Sequence, residues 1–141
     1  MFKTRSSELS LEVRPNPAGL HVISNFESDR QQLLTVCAPF KEFIDNAIVE
    51  HKLNKVGEAY HDFEGGGFTA VICLAESHLS IHTWPSYAKG SGKAQPGRGY
   101  VTFDIFLSNF TADNSPKAEA IYRDVLQFFN ANVLFEKNIE R

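Results

Sequence analysis

The chain has 141 residues, of which 43% are apolar and 22% charged, and a net charge of −3. That length suits one domain with room for a real core, and the balance is that of a soluble globular protein. No apolar run approaches the roughly 18 residues of a membrane-spanning helix, and the acidic balance gives no reason to expect nucleic acid as a partner. Met1 to Glu8 lack the apolar stretch of a signal peptide, so a cytoplasmic protein is expected. Cys37 and Cys73 sit in apolar patterns and read as reduced core residues, not as a disulfide or a metal pair.

Residues 1–18 are polar, carry Pro15 and Pro17, and read as an N-terminal extension with a short strand at Leu9–Val13. The domain proper runs over 19–141. Gly19–Phe26 reads as its first secure strand. Ser28 with Gln31 three residues on could cap a helix. Leu33, Val36, Phe40, Ile44 and Ile48 then recur at helical spacing to about Lys52. Pro39 interrupts that pattern and predicts a kink, or a start near Ala38. Lys55–Phe63 is a second strand and Glu64-Gly-Gly-Gly67 a turn, since glycine supplies positive φ cheaply. Phe68–Glu76, apolar on both faces at its end, is a third strand that reads as central. His78–Trp84 continues or restarts it. Ser86–Gly99 is a loop with Lys89, Lys93 and Arg98, and Tyr100–Leu107 the next strand. Ser115 as N-cap and Pro116 at the first helical position start a helix whose apolar face is Ile121, Tyr122, Val125, Phe128 and Phe129. Asn132–Lys137 closes the chain as a short strand. The order β-α-β-β-β-β-α-β, with short connections, predicts an α+β fold: a two-layer α/β sandwich with a mainly antiparallel sheet and two helices on one face. The other sheet face is left open and needs cover.

The informative stretch is 74–85, Leu-Ala-Glu-Ser-His-Leu-Ser-Ile-His-Thr-Trp-Pro. Two imidazoles in a strand of core type are costly unless satisfied or used. A half-buried strand with its polar side toward water is the plain alternative. The order Glu76-Ser77-His78-Leu-Ser-Ile-His82-Thr-Trp-Pro85, with His61-Asp-Phe63 before the glycine turn, Thr69 in the third strand and Tyr100-Val-Thr-Phe-Asp-Ile-Phe106 after it, resembles the prokaryotic S-adenosylmethionine decarboxylase proenzymes. The resemblance spans about Gly19 to Lys137. It implies a pyruvoyl-dependent carboxy-lyase that makes its own cofactor and supplies the aminopropyl donor for spermidine synthesis. The chain would cut itself between Glu76 and Ser77: the Ser77 hydroxyl attacks the preceding carbonyl, and elimination leaves a pyruvoyl group at residue 77. That group would form a Schiff base with an amino-acid-type small molecule and draw off electrons as CO2 leaves.

By the same resemblance, His82 and Thr69 serve processing, Phe63 stacks on adenine, worth about 1–3 kcal/mol in other systems, and the protein is a homodimer. A core phenylalanine is the equal alternative for Phe63, and a plain β-branched strand residue the lesser one for Thr69. Along a straight strand Thr69 lies on the order of 26 Å from Ser77, and His82 roughly 16 Å. A two-fold dimer in which they serve the partner's serine resolves this.

Two positions depart from the family. Ser86 stands where a glutamate usually holds the ribose hydroxyls, and a serine cannot make that bidentate contact. Ser108 stands where a cysteine usually protonates the product, and a hydroxyl gives up its proton far less readily than a thiol of pKa about 8.5. Ala88–Arg98 reads as an insertion near the site. Decarboxylation of another amino acid, arginine or ornithine, and an uncut ligand- or partner-binding relative are the alternatives. The five histidines show no convincing metal-ligand spacing.

Overall fold

The computed structural model describes residues 18–86 and 97–141. Its strands are β1 (Gly19–Ser28), β2 (Lys55–Asp62), β3 (Phe68–Leu74), β4 (Ser77–Trp84), β5 (Gly99–Ser108) and β6 (Asn132–Glu140); its helices are α1 (Gln31–Thr35), α2 (Ala38–Glu50) and α3 (Ser115–Phe129). The strands form one antiparallel sheet in the order β2-β3-β4-β5-β1-β6. The α+β architecture is the expected one. Of the two expectations at Pro39, a kink or a start near Ala38, the second holds: α2 starts at Ala38 with Pro39 in its first turn, and the proline ring and missing N–H keep the short α1 from running through.

Period-2 alternation builds the core. Leu20, Val22 and Phe26 on β1, Leu79 and Ile81 on β4, and Val101, Phe103, Ile105 and Leu107 on β5 all point to the helices and are buried. Phe40 and Ile44 of α2 and Ile121, Val125 and Phe129 of α3 close over them, with the Phe40 and Phe129 rings stacked at 6.1 Å. The Tyr122 hydroxyl donates to Glu136 Oε1 at 2.8 Å and accepts from the Ser24 hydroxyl at 2.7 Å, joining α3 to β1 and β6; burial pushes its hydroxyl up to about 12. The opposite face carries no helix among the described residues.

Several local expectations need correction. Ser28 ends β1 and donates to the Phe129 carbonyl at 2.5 Å instead of capping a helix. Ser115 lies inside α3; Asn114 holds the cap position, with its side-chain amide turned to the Ser108 carbonyl. β3 lies second from the edge, and Cys73 is exposed on its open face; Cys37 is only half-buried. Leu9–Val13 lies outside the described residues, as does all of the Ala88–Arg98 insertion except Gly97 and Arg98.

Edge strand β2 has little buried surface and is tied to α2 by charge instead. Lys41 Nζ donates to Asp45 and Glu58 at 3.1 and 2.8 Å, and Lys55 Nζ to the same two carboxylates at 2.9 and 2.7 Å. Hydrogen bonds from Lys41 and Lys55 hold Glu58 below its usual range. Burial pushes Asp45 up, but the bonds from Lys55 and Lys41 outweigh it and leave that carboxyl low as well. A carboxyl depressed in the folded state stabilises it above the unfolded pKa, and that contribution is lost as pH falls through the folded value. A Lys41→Met, Lys55→Met chain should therefore melt a few degrees below the parent at pH 7, because exposed pairs are weak. The gap in thermal midpoint should close as pH drops below about 4.

Candidate active site

β3 and β4 form a hairpin in which Leu74 and Ser77 pair across the two-residue turn Ala75-Glu76. Asn54 clamps that turn. Its carbonyl accepts from the Ala75 N–H at 2.7 Å, while its own N–H and side-chain amide donate to the Glu76 carboxylate at 3.1 and 2.7 Å. The Glu76 carbonyl oxygen accepts the Ser108 N–H at 2.9 Å. Ser77 has φ of 150°, a region that residues with a Cβ rarely adopt and that costs on the order of 1–3 kcal/mol. The peptide between Glu76 and Ser77 is thus fixed on its acyl side, has a polarised carbonyl and is strained on its amine side. The Ser77 hydroxyl meets His78 Nδ1 at 3.2 Å.

Beside it on the open face lies a polar cluster from three adjacent strands, β4, β5 and β1. Asp104 takes a hydrogen bond from His21 Nε2 at 2.7 Å and a short one from the Ser80 hydroxyl, and His78 Nε2 lies 3.5 Å from the same carboxylate. Arg141 approaches His21 Nδ1 at 3.4 Å and lies over the Phe106 ring at 4.6 Å from the ring centroid. The facing nitrogens of His21 and His78 and one Asp104 oxygen lie within 4.8 Å of one another, close enough to share a proton or hold an ion.

The second group lies at the far end of β4. Thr69 and His82 are cross-strand partners, and the Thr69 hydroxyl and His82 Nδ1 share a short hydrogen bond. They open onto a cleft of about 360 Å³ that Phe63, Trp84 and the Gly65-Gly66 backbone also line. Phe63 is 49% exposed, so it is not the core phenylalanine of the alternative reading. Its turn is set by Gly66 and Gly67, at φ of 99° and 100°. The Gly67 N–H donates to the Thr35 carbonyl, and a Cβ on Gly67 would meet the Thr83 carbonyl at 2.6 Å.

The structure therefore gathers the expected residues in two places. Glu76, Ser77 and Ser108 meet at one end of β4; Thr69, His82 and Phe63 meet at the other. The hairpin shortens the expected separation of Thr69 from Ser77 to about that of His82, but five residues of extended strand still span roughly 16 Å. Ser86 lies beyond β4, where its N–H donates to Gln31 Oε1 at 3.0 Å. His21, His78 and Asp104 did not emerge as a group from the sequence, since their separation along the chain hides what register brings together. The alternation of His78, Ser80 and His82 on one face was the available signal.

A family model described as S-adenosylmethionine decarboxylase matches residues 20–141. The chain belongs to the S-adenosylmethionine decarboxylase family. It is 30% identical over 111 residues to an S-adenosylmethionine decarboxylase proenzyme of Archaeoglobus fulgidus, across 79% of this chain and 86% of that one. It is 34% identical over 88 residues to the proenzyme of Thermoplasma volcanium, across 62% of this chain and 59% of that one. The fold matches a crystal structure of the adenosylmethionine decarboxylase from Aquifex aeolicus with a TM-score of 0.70 at 24% identity, covering 89% of this chain and 92% of that one. Membership favours the carboxy-lyase reading over an uncut binding relative.

The cleft depends on the Phe63 turn keeping its shape. Gly67→Ala should cost about 1–3 kcal/mol of unfolding free energy, from strained φ and the clash with the Thr83 carbonyl. Urea denaturation measures it, and a change under 0.5 kcal/mol, the usual range for an ordinary surface substitution, would contradict that strain.

Proposed function

We propose that the chain is a proenzyme that cuts itself between Glu76 and Ser77, carries a pyruvoyl group at residue 77 and decarboxylates S-adenosylmethionine, supplying the aminopropyl donor for spermidine synthesis. Residues 19–141 are the decarboxylase domain and residues 1–18 an extension. The single observation that carries the reading is the Glu76–Ser77 peptide: its carbonyl accepts the Ser108 N–H, and its serine combines φ of 150° with a hydroxyl 3.2 Å from an imidazole. Those donors fit a pyruvoyl end, whose precursor hydroxyl and leaving carboxyl already sit in a fixed turn. Once formed, that group supplies an electrophilic carbonyl, which no amino-acid side chain offers.

Thr69 and His82 assist processing, and the span along β4 supports a reading in which they serve the serine of a second copy. A two-fold axis across the open face would set the Ser77 end of one β4 against the His82 end of its mate. The same contact would cover Trp84, Tyr100 and Phe106. Two free cysteines and no helix, among the described residues, long and apolar enough to cross a membrane fit a cytoplasmic enzyme.

The cleft between Phe63 and Trp84 favours S-adenosylmethionine over arginine or ornithine. Aromatic faces suit an adenine ring and a sulfonium. Among the described residues no carboxylate lines the cleft to pair a guanidinium or a side-chain ammonium. Ser86 gives the ribose hydroxyls a weaker hold than a carboxylate would, and Ser108 holds the position of the proton donor.

Intact mass of the purified protein tests the reading. Two chains, 1–76 and a blocked chain from residue 77, are expected, with Ser77→Ala remaining whole; a parent chain that stays at full length overturns it. Release of CO2 from carboxyl-labelled S-adenosylmethionine, and not from arginine or ornithine, is expected of the cut protein. Ser108→Cys should raise kcat about tenfold or more with little change in KM, since a thiol is the better acid; no change would remove Ser108 from that step.

A further inference from the structure

We propose that His78 is the base that starts self-cleavage, acting on Ser77 of its own chain and oriented by Asp104. The inference rests on the self-cleavage reading above and names the residue that begins it. His82 cannot take this role within its own chain: it lies five residues along the same strand, and its Nδ1 is engaged by Thr69. His78 is already in contact, with Nδ1 3.2 Å from the Ser77 hydroxyl.

The neighbours fix which nitrogen of His78 is free. Asp104 faces Nε2 at 3.5 Å, so the proton belongs on Nε2, and the lone pair of Nδ1 is turned to Ser77. Asp104 is held in turn by the Ser80 hydroxyl and by His21 Nε2 at 2.7 Å. The approach of Arg141 to His21 Nδ1 keeps the His21 proton on Nε2, where it donates to Asp104. A nucleophile, a base and a carboxylate that orients the base thus stand in series, the arrangement that activates a hydroxyl in acyl transfer.

The step balances with the chain's own groups. His78 Nδ1 takes the proton from Ser77 Oγ as Oγ bonds to the Glu76 carbonyl carbon. The displaced π pair moves onto the carbonyl oxygen, which the Ser108 N–H already holds at 2.9 Å. The C–N bond then breaks, and the proton on Nδ1 passes to the departing nitrogen of Ser77. An ester and a free amine replace the amide, nothing is oxidised or reduced, and His78 is left as it began. While His78 carries the proton, the Asp104 carboxylate balances its charge. Breaking the C–N bond also releases the strained φ of Ser77. His78 touches a reacting atom and is catalytic in this step; Asp104 and His21 are positioning residues.

The test follows newly synthesised chain in a cell-free pulse and chase, read by intact mass and by hydroxylamine cleavage, which opens the ester but not the amide. His78→Ala should slow ester formation about 100-fold or more, with added imidazole restoring part of the rate. His78→Gln, of similar size and without a base, should remain slow with an unchanged circular dichroism spectrum. Asp104→Asn should slow cutting without rescue by imidazole. Cutting at the parental rate in His78→Ala or His78→Gln overturns the assignment. So does a slow His78→Ala chain on which imidazole has no effect. Loss of cutting on chelation, with return on adding zinc, also overturns it, since the His21–His78–Asp104 group would then hold a metal ion. If the parent chain itself never cuts, the self-cleavage reading fails; if only the variants behave like the parent, this inference alone fails.

Discussion

A β-strand is a rigid ruler, and β4 measures out this protein's chemistry. Its residues are spaced at about 3.3 Å and held on both sides by β3 and β5. Ser77 at one end and His82 at the other cannot approach without breaking those ladders. The hairpin adds Thr69 to His82, and the register of β5 adds Ser108 to Glu76. One end of the strand thus becomes a place where a peptide is strained and polarised. The other becomes a cleft with an aromatic rim. In the proposed dimer neither is a complete site alone, and the open sheet face is where two such chains would complete each other.

That face is not an ordinary solvated one. Asp104 and His21 are only 22% and 16% exposed at their side chains, and a carboxylate at such depth must be hydrogen-bonded to be tolerated. His21 and Ser80 provide those bonds. The aromatic row of Trp84, Tyr100 and Phe106 flanks this polar centre. Covering that row would make the charges inside it act more strongly, because water no longer screens them. In the proposed dimer, assembly and proton transfer would therefore be linked through one surface.

Much of this was legible in the residues. Alternation in Tyr100–Leu107 and helical spacing from Phe40 to Ile48 and from Ile121 to Phe129 placed the core and the two-layer architecture. The run Glu76 to Pro85 pointed to the Glu76–Ser77 peptide, whose cleavage is the proposal made above. Boundaries that depend on caps were not legible: Ser28 and Ser115 have cap chemistry, yet each hydroxyl answers to tertiary partners, the Phe129 carbonyl and the Asn109 side chain. Cys73 misled because a strand with one open face has apolar-looking positions on both sides, and Cys73 fell on the open one. The group of His21, His78 and Asp104 was hidden for another reason. Ligand and catalytic spacing is read along a chain, while these three meet only through the pairing of β1, β4 and β5. Pairing register is the quantity a single sequence states least directly.

On the proposed reading, one chain holds two half-sites which only a second copy can join. Mixed dimers measure this directly. One chain would carry Ser77→Ala with His82 intact, and its mate would carry His82→Ala with Ser77 intact. Assembled together, the His82→Ala chain should cut, because its serine receives His82 from the other copy, although it remains whole as a homodimer. A His82→Ala chain that stays whole in the mixed dimer as well would show that His82 serves its own serine, contrary to the roughly 16 Å that β4 sets between them.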